Sequence, residues 1–163
     1  MSRNKIVSLQ DLEKIVRRAQ KTKKTVVWTN GCFDLLHVGH VRYLEKAKAL
    51  GDILVVGLNS NASTRKLKGA GRPLNRQAHR AEVLAALESV DYITIFGATS
   101  PARLLERLKP NIFVKGADYS VKTMNQKERA AVEQGGGTFA FIKFVAGSST
   151  TNLIEKIRET SKV

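Results

Sequence analysis

The chain has 163 residues, a length typical of one domain, and its 42% of hydrophobic and 26% of charged residues are an ordinary globular balance. Its 28 Lys and Arg residues outnumber 14 Asp and Glu residues and give a net charge of +14, which favours anionic partners such as nucleotides, sugar phosphates or nucleic acid. The sequence has no apolar run of about 18 residues, no secretory leader and a single cysteine, which excludes an internal disulfide and predicts a cytoplasmic protein with no membrane partner.

Hydrophobic periodicity predicts helices and strands that alternate along the chain. Apolar residues over 9–19 recur at helical spacing, and Ser8 is placed to cap that helix. Short apolar runs predict strands over 25–29, 52–59, 91–96, 111–115 and 138–144. Further helices are predicted over 38–50, 75–89, 100–108, 125–134 and from the turn at 147–151 to about 161. Gly51 is expected to end the second helix, and Asn75 and Ser100 are expected to cap the third and fourth.

Five strands that alternate with helices predict a doubly wound α/β fold with a parallel, Rossmann-like sheet and helices on both faces. We expect a single domain over residues 1–163, with 1–24 as an N-terminal helical extension and 25–160 as the core. Ligands of such sheets bind beyond the carboxyl ends of the strands, where the strand order reverses. The segments that follow strands one, two, four and five are therefore expected to hold the chemistry.

The segment over residues 60–75 is basic and punctuated by glycine. Its length and composition predict a mobile loop. Lys68 in this segment, or Lys66 in its place, is a candidate to close over phosphate groups, although a solvated loop lysine is the simpler interpretation.

The segment after the first strand carries two histidines, His37 and His40, at the start of a helix. Three residues of helix place both side chains on one face, and Gly31 and Gly39 permit close approach of a ligand. The free N–H groups of a helix start favour an anion, so we expect the two histidines to donate hydrogen bonds to phosphate. A metal shared by the histidines is the alternative, but it needs a third ligand such as Asp34, and we expect no metal site.

The stretch Thr29-Asn30-Gly31-Cys32-Phe33-Asp34-Leu35-Leu36-His37-Val38-Gly39-His40 resembles the signature of the cytidylyltransferase-like nucleotidyltransferases, with its H-x-G-H element. Later motifs of these enzymes are matched by Arg72-Pro73-Leu74-Asn75, by residues 80–87, by Lys115-Gly116-Ala117-Asp118-Tyr119 and by Ser149-Thr150-Thr151. Together the motifs resemble the D-glycero-β-D-manno-heptose 1-phosphate adenylyltransferases of bacterial lipopolysaccharide biosynthesis, and the resemblance covers about residues 5–158.

The resemblance implies an enzyme that transfers AMP from ATP to a heptose 1-phosphate, forms ADP-heptose and releases pyrophosphate, with Mg²⁺ accompanying the ATP. An oxygen of the sugar phosphate attacks the α-phosphorus directly, so no nucleophilic triad is needed and Cys32 is not expected to be a nucleophile. A homodimer is expected from the resemblance alone.

The same motifs and their place at the sheet edge predict the site residues. His37, His40 and Lys68 are assigned to catalysis. Nucleotide contacts are assigned to Asn30, Gly31, Cys32, Phe33, Gly39, Arg80, Lys115, Gly116, Asp118, Ser149 and Thr150. Substrate contacts are assigned to Asp34, Asn59, Arg72 and Tyr119.

One departure from the related enzymes bears on the substrate. Polyol-phosphate cytidylyltransferases place an arginine before their last serine-threonine motif, whereas residues 143–147 contain none. This favours the heptose branch and leaves open whether Lys115 or Lys143 does the equivalent work.

Two other functions stay open at this point. A cytidylyltransferase acting on a sugar or polyol phosphate is the first alternative. A basic nucleic-acid-binding domain is the second, motivated by the net charge of +14 and by the basic cluster at 17–24. Aromatic residues make up only 6% and do not alternate with the basic ones, so nucleic acid is not the expected partner.

Overall fold

A computed structural model describes residues 2–143 and 150–160, with only the backbone of residues 2 and 3. Its strands are β1 (Val26–Gly31), β2 (Ile53–Asn59), β3 (Tyr92–Phe96), β4 (Ile112–Gly116) and β5 (Thr138–Ile142). A short 3₁₀ helix (Ser2–Lys5) precedes the helices α1 (Leu9–Lys21), α2 (Val38–Lys48), α3 (Asn61–Lys68), α4 (Gln77–Ala85), α5 (Ala102–Leu108), α6 (Gln126–Gln134) and α7 (Thr150–Thr160).

The five strands form one parallel sheet in the order β3-β2-β1-β4-β5. The order reverses between β1 and β4, which is the position where open α/β sheets bind ligands. The β1–β2 ladder continues to Gly31, but the β1–β4 ladder ends at the pair Trp28↔Phe113. Beyond it, the carbonyl of Val114 accepts hydrogen bonds from the hydroxyls of Thr29 and Tyr43, each at 3.1 Å. A crevice therefore opens between the carboxyl ends of β1 and β4.

Helices cover both faces of the sheet, as the doubly wound prediction requires. The apolar sides of α2 and α4, including Leu44 and Leu84, pack with Val27 on one face. The helices α1, α5 and α6 pack on the other face, where Trp28 and Phe113 are buried. Because neighbouring residues of a strand point to opposite faces, each strand contributes to both cores.

The caps are partly as predicted. Ser8 caps α1, and its hydroxyl accepts a hydrogen bond from the N–H of Asp11 at 3.1 Å. Gly51 is not a left-handed cap, because Ala49 caps the end of α2 in the right-handed region and Gly51 has no positive φ. A Cβ at Gly51 would lie 2.7 Å from the Cγ2 of Val27, so close packing explains this glycine.

The two other predicted caps are displaced by a residue. Arg76 is the cap of α4, and the Asn75 side chain instead donates to the carbonyl of Asp34 at 3.2 Å. Pro101 is the cap of α5, while the Ser100 hydroxyl accepts from the N–H of Ala102 at 3.3 Å.

The prediction of one continuous loop over 60–75 is wrong, because α3 occupies its first half. Ser60 caps this helix through the N–H of Ser63, and the side chains of Ser63 and Thr64 are buried. Such a short helix of polar residues has no apolar periodicity, which explains why the sequence pattern did not indicate it. The connection that remains contains Gly69 and Gly71, with φ of 92° and 80°.

In the part of the chain that the structure describes, no helix is long and apolar enough to cross a membrane.

Close packing at Gly57 gives a test of the sheet. A Cβ at this position would lie 2.3 Å from Cζ2 of Trp28, whose side chain is buried. We expect Gly57→Ala to lower the free energy of unfolding by about 2–3 kcal/mol, because the indole has no room to move. Urea denaturation measures this, with Gly97→Ala as the control, since the nearest atom to a Cβ there is 4.0 Å away. Equal stability of both variants would contradict the packing.

Candidate active site

The two histidines lie together at the start of α2. His37 is the extended residue that precedes the helix, and His40 lies in its first turn. Their ring centroids are 3.9 Å apart, and the ring of Phe33 lies 5.3 Å from that of His40. The Nδ1 atoms of both histidines are buried and make no hydrogen bond within the described residues. The pair therefore has hydrogen-bonding capacity that the described residues do not use.

Burial sets the charge of this pair. It lowers the pKa of His40 to about 4, with a further contribution from the neighbouring charge of His37. Burial also lowers the pKa of His37. Both rings are therefore largely neutral near pH 7, and each carries one N–H donor. A bound anion favours the protonated form, so phosphate binding would raise both pKa values.

A cavity of about 520 Å³ lies in front of the histidines. It is lined by Cys32, Phe33, Asp34, His37, Gly39, His40, Lys68, Arg72, Thr150 and Thr151. The structure thus brings together residues from the segment after β1, the end of α3, the 69–75 connection and the start of α7. Of these, only Thr151 is absent from the predicted site. Two cationic side chains and two histidines make the cavity suited to a polyphosphate.

The Asp34 carboxylate is an anchor inside the protein. It is buried and accepts hydrogen bonds from the N–H groups of Leu74 at 2.8 Å and Asn75 at 3.0 Å. Its second oxygen lies 2.7 Å from Nε of Arg72. These contacts occupy the acceptors that were predicted to meet substrate. Asp34 instead fixes Arg72, which lines the cavity and whose side chain is 20% exposed.

Arg80 also differs from its predicted role as a nucleotide ligand. It is 2% exposed, and its guanidinium donates to the carbonyls of Cys32, Asn59 and Asn75 and to the side chain of Asn61. Four of its five donors are thereby used within the protein. Arg80 joins the ends of β1 and β2 to the starts of α3 and α4, and it does not line the histidine cavity.

Asn59 is likewise inside the protein. It is 1% exposed, and its amide nitrogen donates to the Ser63 hydroxyl at 3.1 Å and to the Ala98 carbonyl at 3.3 Å. Its predicted contact with substrate is therefore corrected to a structural contact. Burial of a polar side chain at a strand end cannot be distinguished from exposure at the sheet edge by sequence pattern.

The residues after β4 lie apart from the histidine cavity. Gly116 ends β4 and is buried, whereas Asp118 and Tyr119 are exposed in the turn that follows. Burial raises the pKa of the Tyr43 hydroxyl to about 12, and the negative charge of Asp118 adds to this effect. The ammonium of Lys115 lies 2.6 Å from the carboxylate of Glu128.

The remaining predicted residues differ in their surroundings. Asn30 is partly buried at the crevice, and its Oδ1 makes no hydrogen bond within the described residues. Gly31 is needed for space, because a Cβ there would lie 3.0 Å from the ring of Phe33. Lys66 and Lys143, the two substitute cations, are exposed. Ser149 lies outside the described residues.

Glu128 is a buried residue near this edge that the sequence pattern did not predict. Its position three residues after Asn125, which caps α6, is typical of a helix-capping acid. Nothing in the sequence shows that this carboxylate is 5% exposed and paired. Over residues 2–143 and 150–160, no three His, Cys, Asp or Glu side chains are grouped to hold a metal ion.

Comparisons with known proteins show what the chain is similar to. Residues 28–156 match the family model described as cytidylyltransferase-like. The bifunctional protein HldE of Geotalea uraniireducens (strain Rf4) is 54% identical over 157 residues, covering 96% of this chain and 32% of that protein. The bifunctional protein HldE of Aliarcobacter butzleri (strain RM4018) is 45% identical, covering 99% of this chain and 33% of that protein. The chain spans about a third of the length of these curated relatives.

Solved structures share the fold. The lipopolysaccharide core biosynthesis protein from Thermoplasma volcanium GSS1 superposes with a TM-score of 0.61 at 25% identity, covering 75% of this chain and 97% of that chain. Pantothenate synthetase from Thermus thermophilus gives a TM-score of 0.63 at 16% identity, covering 96% of this chain and 70% of that chain. The second likeness shows a common α/β fold alone.

The pKa of His40 predicts how stability changes with pH. An unfolded histidine titrates near pH 6.5, whereas folded His40 titrates at about 4. Between these values the unfolded chain binds a proton that the folded protein does not, so stability falls as the pH is lowered. We expect His40 to contribute a loss of about 2 kcal/mol between pH 7 and 4, allowing for its partial exposure. Urea midpoints of wild type and His40→Asn across this range measure the difference; parallel curves would contradict it.

The Asp34 anchor predicts a large effect from a small change. Asp34→Asn keeps the size of the side chain but leaves Arg72 without its carboxylate partner, which is 2.7 Å away. We expect a loss of about 2–4 kcal/mol in the free energy of unfolding, because the group is buried and accepts several hydrogen bonds. Glu133→Gln, which removes the exposed pair with Arg129, is the control and should cost less than about 1 kcal/mol. Urea denaturation compares the two, and similar losses would refute the anchor.

Proposed function

The chain belongs to the cytidylyltransferase-like family and is a nucleotidyltransferase, and we propose that it transfers AMP from ATP to D-glycero-β-D-manno-heptose 1-phosphate. The products are ADP-heptose and pyrophosphate, for lipopolysaccharide core biosynthesis. The observation that carries this proposal is the pair His37 and His40, whose ring centroids lie 3.9 Å apart at the start of a helix. The cavity that they line is also lined by Lys68 and Arg72.

The reaction needs positioning and charge stabilisation. An oxygen of the sugar phosphate forms a bond to the α-phosphorus of ATP. The bond that breaks joins this phosphorus to the oxygen that bridges the α- and β-phosphorus atoms. The electron pair leaves with pyrophosphate, so negative charge grows on the departing oxygens. N–H donors on His37 and His40 and the cations Lys68 and Arg72 are the groups that we assign to this charge.

The neutral state of the histidines suits this task. A neutral imidazole can enter the buried cavity without the desolvation cost of a cation, and its N–H still donates to phosphate oxygen. As the leaving group gains charge, the imidazole is stabilised in its protonated form, so the interaction strengthens along the reaction.

Mg²⁺ is proposed to accompany the ATP. Asp34 is the carboxylate that lines the cavity, and its oxygens already contact Arg72, Leu74 and Asn75. The residues described therefore offer no free carboxylate in this cavity, and the ion would be ligated by phosphate oxygens and water. Mg²⁺ bound in this way supplies further charge neutralisation.

The choice of sugar rests on sequence motifs. The chain resembles the heptose 1-phosphate adenylyltransferases over several spaced motifs, and the similar Thermoplasma volcanium protein is a lipopolysaccharide core biosynthesis protein. The bifunctional relatives are about three times as long, so no activity of their remaining length is assigned to this chain. A homodimer belongs to the same proposal and rests on the resemblance, whereas a cytoplasmic location is proposed from the composition of the sequence.

Pyrophosphate release tests the reaction. With ATP and the heptose 1-phosphate, the protein should release pyrophosphate and form ADP-heptose, and CTP should be used far less efficiently. Polyol phosphates serve as competing acceptors in the same assay. Exclusive use of CTP would support the cytidylyltransferase alternative instead, and absence of pyrophosphate with every acceptor would refute the transfer.

The same assay tests the histidines. His37→Ala and His40→Ala should each lower kcat/KM by about 10²–10³-fold, the usual loss for one transition-state donor. His79→Ala is the matched control, because His79 is exposed on α4 and does not line the histidine cavity. A His37→Ala variant with the wild-type rate would show that the assignment is wrong.

A further inference from the structure

Basic side chains gather at the edge of the sheet opposite the histidine cavity. The helix α1 leads into the amino end of β1, and α5 leads into the amino end of β4. These strands are parallel neighbours, so their amino ends lie side by side. The side-chain amide of Gln20 joins the two segments by donating to the carbonyl of Lys109 at 2.7 Å. The exposed cations of this edge, which we call the amino-edge cluster, are Arg17, Arg18, Lys21, Lys23, Lys24 and Lys109.

The described residues do not neutralise the charge of this cluster. Over residues 2–143 and 150–160, none of its side chains belongs to a salt bridge. Two acids of the same region are engaged elsewhere. The Asp52 carboxylate accepts from the N–H of Thr25 at 2.7 Å, and Glu13 pairs with Arg107. The cluster therefore presents positive charge to solvent.

Helix dipoles explain only part of the cluster. A cation in the last turn is stabilised by the partial negative charge of the helix end, which accounts for Arg18 and Lys21 of α1. Lys23 and Lys24 lie beyond α1, however, and Lys109 lies beyond α5. Lys23 and Lys109 have φ of 58° and 47°, in the left-handed region that favours glycine. The local backbone therefore does not explain why lysines occupy these two turns.

The composition of the cluster suits a lipid surface better than a nucleic acid. It contains no aromatic ring on which a base could stack. Anionic lipid headgroups need no such ring, and they attract clusters of about four to eight Lys and Arg residues. Leu50, which is 40% exposed, lies at the same edge, because a Cβ on the next residue, Gly51, would lie 2.8 Å from the carbonyl of Thr25. An exposed leucine beside cations gains contact with lipid but not with a phosphodiester backbone.

We propose that the amino-edge cluster docks the protein on the surface of an anionic lipid membrane. The six residues of β1 separate this edge from the carboxyl edge by about 17 Å. Docking therefore leaves the histidine cavity open to its substrates. The purpose of docking rests on the proposed function, because lipopolysaccharide is built on a lipid and its sugar donors are used at a membrane. The docking differs from the expectation of no membrane partner, which rested on the lack of a long apolar run.

Vesicle sedimentation tests the docking. The chain is mixed with vesicles of phosphatidylcholine alone or with about one-third phosphatidylglycerol. At about 0.1 M salt we expect a partition coefficient about tenfold or more higher for the anionic vesicles, and its loss at about 0.5 M salt through screening. Saturating pyrophosphate occupies the cations of the histidine cavity and should leave the partition unchanged. Equal partition into both vesicles, or release by pyrophosphate, would overturn the proposal.

A triple variant locates the surface. Arg17→Gln/Arg18→Gln/Lys21→Gln removes three exposed cations from α1 and keeps residue types that favour a helix. We expect its partition into anionic vesicles to fall about tenfold or more. If this variant does not fold, Lys23→Gly/Lys109→Gly removes two charges at positions that favour glycine and should lower the partition about fivefold.

The control variant Arg103→Gln/Lys122→Gln/Lys127→Gln removes as many exposed cations near the starts of α5 and α6, at the carboxyl edge. Its partition should stay within about threefold of wild type, since these side chains face away from the docked surface. Equal losses in the two triple variants would show that net charge alone drives binding and would refute a docking surface. Urea midpoints report whether each variant is folded.

Duplex DNA separates a lipid surface from a nucleic acid. DNA added at a phosphate concentration equal to that of the accessible anionic lipid should leave most of the protein on the vesicles. Release of most of the protein would assign the cluster to nucleic acid and overturn the proposal. None of these measurements needs ATP or a sugar. Failure of the proposed function appears separately, as a wild type that releases no pyrophosphate with any sugar phosphate.

Discussion

The guanidinium of Arg80 is the interaction on which the candidate site depends. It donates to backbone carbonyls that follow β1, end β2 and precede α4, and to a side chain at the start of α3. These groups come from three separate parts of the sequence, because Asn59 and Asn61 are only two residues apart. A planar group with five donors can bind all of them at once. Asp34 extends the arrangement by binding Leu74, Asn75 and Arg72. The ligand-facing residues are therefore positioned by a second, buried set of charges.

Polar groups lie on both faces of the sheet at the carboxyl ends of its strands. The histidine cavity lies on the face covered by α2 and α4, and the pair Lys115–Glu128 lies on the face covered by α5 and α6. The crevice between β1 and β4 connects them, because the ladder ends two residues before Asn30. A nucleotide is itself divided in this way, with charged phosphates at one end and uncharged hydroxyls at the other. The topology alone thus provides a polar crevice between two different chemical environments.

The sequence predicted the fold well because the strands and the amphipathic helices carry strong periodic signals. It also predicted the residues that line the histidine cavity, since short motifs mark segments that follow strands. It failed for α3, whose residues are too polar to show a period, and for Arg80 and Asn59, whose residue types suit either a ligand or a buried contact. It missed Glu128 for the same reason, because burial and pairing arise from tertiary contacts between elements far apart in the sequence. Local pattern indicates where a side chain lies along the chain, but not which partner it has.

The helix α7 lines one side of the cavity but buries little of its own surface. Thr150 and Thr151 at its start line the cavity, and the Thr150 hydroxyl donates to the carbonyl of Leu35 at 3.2 Å, yet α7 has no buried residue among those described. Little apolar surface therefore stabilises the docked position of this helix, and we expect undocked molecules to form a larger population than they would for a helix with buried residues. A ligand that contacts Thr150 binds the molecules in which α7 is docked. The measured affinity is therefore proportional to the fraction of molecules with α7 docked. Changes in the packing of α7 far from the phosphates would thus alter nucleotide affinity without touching the nucleotide.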